Sequence, residues 1–132
     1  MVRPVLSAVA AFFLSNLGNT AYYALTADMN RLEFTREEPL IGLFVAHHVL
    51  YAVLLAALYP RFRRSGAVWT EGAWFGLLTG TLVFLPNALV VRGAWDVPVN
   101  LGFAANTAFA LGLGTLIGVV VAAIQRPATP AA

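Results

Sequence analysis

No cysteine and no lysine occur in the sequence, and charged residues of either sign are scarce, at 11%. The missing cysteine excludes disulfides, thiolate metal sites and a cysteine nucleophile. All eight basic residues are arginine. A water-soluble domain carries about 25% charged residues, so this chain has too little charge to cover a water-facing surface. Catalytic signatures are missing as well: there is no HExxH, no phosphate-binding glycine loop and no Ser-His-Asp set. No pair of acidic residues lies deep inside an apolar run. Nothing specific marks an enzyme. The pI of about 9.5 does not mark a nucleic-acid partner either, because the arginines sit at the ends of apolar runs rather than along one face.

What fills the chain is apolar. Of 132 residues, 60% are hydrophobic, and the mean hydropathy is +0.78. Four runs account for the excess, roughly 4–26, 39–59, 67–91 and 99–125. Each reaches the ~20 residues that cross a ~30 Å hydrocarbon core. In lipid, backbone polar groups must be satisfied internally, so such runs are helices. The sequence therefore predicts one all-α integral membrane domain over 1–125, an antiparallel bundle of four transmembrane helices, followed by a disordered proline-rich tail over 126–132. The first run has a basic start but no small-x-small cleavage site after it, and it reads as a retained helix rather than a signal peptide.

Arginine placement predicts the topology. Arg3, Arg61, Arg63, Arg64 and Arg126 fall on one side of a four-span chain, and Arg31, Arg36 and Arg92 fall on the other among most of the acidic residues. The positive-inside rule puts both termini in the cytoplasm. The expected location is a prokaryotic inner (cytoplasmic) membrane. Thr35-Arg-Glu-Glu38 matches a capping box opening the second helix. Asp96-Val-Pro98 reads as an N-cap with proline in the first turn of the fourth. Trp69, Trp74 and Trp95 lie where an aromatic belt would.

Small residues recur every four positions in the last two helices: Gly72, Gly76 and Gly80, then Ala110, Gly114, Gly118 and Ala122. Counted from Trp95, Gly76 and Gly114 are each nineteen residues away, and Gly72 with Gly118 and Gly80 with Ala110 match likewise. Rows of this kind let helix backbones approach closely. They predict a contact between the third and fourth helices, or a seam between copies that uses the same faces.

The polar residues inside the runs are the candidate site. His47 and His48 lie near the middle of the second helix, with Asn16 and Thr79 at a similar depth. Asn19, Tyr23, Asn87 and Asn106 lie somewhat further out. Pro86 frees the carbonyl of Leu82 and can bend the third helix, which suits gating. Adjacent helix positions point about 100° apart, so only one histidine faces a given interior site. Tyr51, one turn from His47, can hydrogen-bond its ring, which favours His47. Three uses compete: a proton or solute contact, a haem or metal ligand through His47 or His48, and simple packing of a neutral imidazole. No cofactor is favoured. With no third histidine, bis-histidine haem ligation needs the same residue from a second copy. Interhelical Asn, Thr and Tyr also serve as plain glue, worth about 0.6 kcal/mol each.

The last two helices resemble those of small bacterial membrane proteins with repeated Gly-xxx-Gly spacing, a resemblance that implies no activity. The chain lacks the first-helix glutamate of small multidrug-resistance transporters and the Thr-Thr-Phe-Ser type signature of fluoride channels. The leading expectation is a homo-oligomer that binds or passes a small polar solute or proton. The alternative is a non-catalytic subunit of a larger membrane complex, and the third is a haem- or pigment-binding subunit.

Overall fold

The computed structural model describes residues 2–30, 40–64, 66–94, 97 and 99–126, with backbone alone at 29 and 30. Five helices follow one another: α1 (Val2–Leu25), α2 (Ala27–Asn30), α3 (Ile41–Phe62), α4 (Val68–Ala94) and α5 (Leu101–Gln125). No strand occurs among the described residues. Apart from the single turn α2, each helix is long and apolar enough to cross a membrane. Only 17–28% of each span's most apolar window is buried inside the chain, so the remaining apolar faces need hydrocarbon around them. The chain is a small integral membrane protein built as a four-helix bundle.

Helix ends follow local chemistry. The amide and hydroxyl of Thr26 both donate to the Tyr22 carbonyl, at 3.0 and 2.8 Å, closing α1. α5 opens at Asn100, whose extended backbone lets its side-chain oxygen accept from the Phe103 amide at 3.1 Å. This cap replaces the one expected at Asp96 and starts the helix at Leu101. Asp96 and Pro98 lie outside the described residues, as does the Thr35–Glu38 capping box. α3 begins at Ile41 after Leu40, which makes no side-chain cap.

α3 also outlasts its expected end, running through Pro60 to Phe62. Proline has no amide to donate, so it leaves the carbonyl four residues earlier, that of Ala56, without its helical partner. Here the Gln125 side chain donates to that carbonyl at 2.8 Å and to the Ser7 hydroxyl at 2.8 Å. One buried glutamine thus satisfies the carbonyl that Pro60 exposes and ties α5 to α3 and α1.

α4 and α5 make the most extensive contact, α1 packs on α3 and on α5, and α3 meets α4 and α5 only slightly. At the α4–α5 contact the backbones themselves touch. A Cβ added to Gly72 would lie 2.6 Å from the Val119 Cα, and one on Gly76 would run into the Gly114 carbonyl. One on Gly118 would meet the Gly72 carbonyl. Further along, a Cβ on Gly80 would be 3.4 Å from the Ala110 carbonyl oxygen. The glycine faces are therefore occupied within the chain. The apolar core gathers Ala11, Ala52, Leu55, Tyr59, Phe75, Ile117, Val121 and Ala122. Phe75 stands edge-on to Tyr59 at 5.3 Å and tilts against Phe62 at 5.2 Å.

Candidate polar site in the helix core

Three polar levels punctuate this core. The first is the Ser7–Gln125–Ala56 clasp, next to a charged lock at the same end. Glu71, in the first turn of α4, pairs with Arg126 at 2.6 Å. Its other oxygen accepts from the amides of Arg64 and Gly66 at 3.1 and 2.7 Å. Arg126 donates in turn to the carbonyls of Arg64 and Gly66, and Arg3 donates to the Arg126 carbonyl. Hydrogen bonding to Glu71 holds the Arg126 guanidinium above its ordinary pKa range. The lock joins both ends of the described chain to the α3–α4 turn, which gives Glu71 a structural task.

The second level lies eight residues further in, about 12 Å of helix rise. Eight residues separate Ala56 from His48, Ser7 from Ser15, and Gln125 from Ile117, and all three of the inner residues are buried. The level carries the imidazole His48, 6% exposed, whose Nδ1 has no hydrogen-bond partner. Ser15 is 1% exposed and donates only to the Phe12 carbonyl of its own helix, at 3.1 Å, so its oxygen can still accept. One turn along α3, Tyr51 is half-buried and packs against the core. Thr79 on α4 donates to its own helix at Phe75, 2.8 Å away.

Of the two histidines it is thus His48, not His47, that faces inward. Their rings stand 5.1 Å apart at 74°, as the 100° step between neighbours requires. The buried stripe of α3 is His48, Ala52, Leu55, Ala56 and Tyr59, and His47 lies outside it. His48 also marks where packing ends, since every residue from Leu40 to His47 is exposed.

The third level, further still from Gln125, joins α1 to α5. Tyr22 donates to the Asn106 side chain at 2.6 Å and stacks on Phe109 at 4.0 Å. Arg92 lies over the Phe103 ring at 4.0 Å and donates to the Ala88 carbonyl at 3.1 Å.

The remaining expected site residues are spread over half-buried and exposed positions. Asn16 and Asn19 are half-buried, and Asn19 donates back to the Ser15 carbonyl at 2.7 Å. Tyr23, Pro86 and Asn87 are exposed, and α4 continues unbroken through Pro86. Sequence reasoning missed Gln125 and Ser7. The available signal was Pro60, whose missing amide demands a donor for the Ala56 carbonyl, together with a glutamine in the last turn of an apolar helix. Among the described residues, no group of three or more histidine or acidic side chains could hold a metal ion. The chain matches no protein-family model, no curated protein and no solved structure.

Proposed function

We propose that the protein is an antiparallel bundle with both termini cytoplasmic, which self-associates in the membrane and binds or passes a small polar solute or proton at the His48 level. The observation that carries this reading is the His48 Nδ1, buried and without a partner. A buried polar atom left unpaired costs about 1–3 kcal/mol, and ionisable side chains inside a membrane mark substrate or proton paths. A transiently bound proton, water or solute would satisfy it. Ser15 at the same level and Tyr51 one turn along α3 supply further polar groups.

The surroundings suit a site that opens to one side at a time. Toward Gln125 the path is plugged by Leu55, Tyr59, Phe75 and Val121. Toward the opposite end, α3 loses its packing directly above His48. Two-sided passage requires the plug to part, which the slight α3–α4 contact permits. The accessory-subunit reading loses the glycine rows as docking seams, because those rows are used inside the chain. Entry of protons and small polar solutes into proteoliposomes, compared between the wild type and His48→Ala, tests the proposal.

A further inference from the structure

His47 presents a different problem from His48. It lies in the middle of α3, on the exposed side, and forms no hydrogen bond with the described residues. Among the described residues the rings of His48 and Tyr51 neighbour it, the latter parallel at 6.4 Å. Leu43, Leu50 and Leu54 share its stripe, at 68%, 63% and 57% exposure. The spacing 43, 47, 50, 54 alternates four and three, the seam of a left-handed helix pair. At 100° per residue, this stripe points about 140° away from the buried stripe of His48, Ala52, Leu55 and Tyr59. The three leucines are content against lipid tails, which are as apolar as they are. The imidazole is not, because hydrocarbon offers its ring nitrogens no partner.

We infer that this stripe is the interface with a second copy of the chain, with the two His47 imidazoles hydrogen-bonded to each other at the two-fold axis. Copies inserted in the same direction are related by an axis along the membrane normal, so residues of the seam meet their own counterparts at equal depth. A neutral imidazole has one donor and one acceptor nitrogen. It is therefore complementary to itself, and a second copy supplies the required polar group at the required depth. A different membrane protein would need a polar side chain of its own at that level. The inference deepens the self-association proposed above by naming the surface, and it makes no use of flux through His48.

The chain is naturally free of cysteine, so disulfide cross-linking in native membranes reads the interface directly. Leu43→Cys, Leu50→Cys and Leu54→Cys are expected to form homodimers on oxidation. Val49→Cys, exposed but off the stripe, is expected not to. In the Leu50→Cys background, His47→Ala should weaken dimerisation about three- to twentyfold, the value of one interhelical hydrogen bond. His47→Asn, which keeps a donor and an acceptor, should restore most of it. Equal cross-linking at Val49, or no response to His47→Ala, would overturn the inference. So would a Soret-absorbing pigment lost with His47→Ala, since the two rings would then share a ligand instead of a hydrogen bond. Native mass spectrometry separates the failures: an oligomer without α3 cross-links sinks this surface alone, whereas a monomer sinks self-association as well.

Discussion

Replacing Gln125 by leucine removes one side chain whose two hydrogen bonds join three helices. Leucine has a similar volume, so the change deletes hydrogen bonds without opening a large cavity. The Ala56 carbonyl and the Ser7 hydroxyl each lose a 2.8 Å partner. Ser7 still donates to the Pro4 carbonyl at 2.9 Å, whereas Ala56 has no helical donor because residue 60 is proline. Interhelical hydrogen bonds in membranes average about 0.6 kcal/mol and reach about 1.7, so the pair is worth about 1–3 kcal/mol. Reversible unfolding in mixed bicelles with increasing SDS measures it. The same substitution in a Pro60→Ala background is the sharper test. The restored amide at 60 can donate to the Ala56 carbonyl, so Gln125→Leu should then cost less, by the value of that one bond. An equal cost in both backgrounds would refute the argument that Gln125 compensates for proline.

Two further outcomes follow from the packing. Gly76→Ala places a methyl group against the Gly114 backbone carbonyl, which cannot swing aside as a side chain could, and should cost about 1–3 kcal/mol in the same assay. Gly112→Ala, with nothing within 4 Å, should stay neutral or gain up to about 1 kcal/mol from helix propensity; a similar loss at both positions would contradict the contact. Glu71→Ala should speed hydrogen exchange at the Arg64 and Gly66 amides, which lose their acceptor, and unchanged protection there would show that the turn does not depend on the lock.

The four spans were legible because twenty-residue apolar runs leave the backbone no alternative to helix in lipid. Which way each helix faces was not. In water, the apolar stripe of a helix marks its buried side, but in a bilayer that signal is erased. On α3 the exposed Leu43, Phe44, Leu50 and Leu54 are as apolar as the buried Ala52 and Leu55. The 100° between His47 and His48 could be counted, yet the choice between them needed the packing of α1 and α5 on α3. Tyr51, one turn from His47, stands with its ring parallel to that imidazole at 6.4 Å. Counting along the chain placed Asn87 and Tyr23 further out than the histidines and left their outward facing unseen. Helix ends were missed by a few residues where a distant group intervened, as Gln125 does for Pro60, sixty-five positions away.

The central claim is that the inward imidazole of His48 serves a proton or a small polar solute, and not merely the packing of α3. The most direct measurement follows internal pH and vesicle volume in proteoliposomes after an acid jump and after small-solute gradients, with wild type, His48→Ala and His47→Ala in matched preparations. Entry above that of protein-free vesicles is expected for the wild type, with its loss in folded His48→Ala and continued entry per assembled copy in His47→Ala. Entry indistinguishable from protein-free vesicles in the wild type, or undiminished in His48→Ala, would contradict the claim.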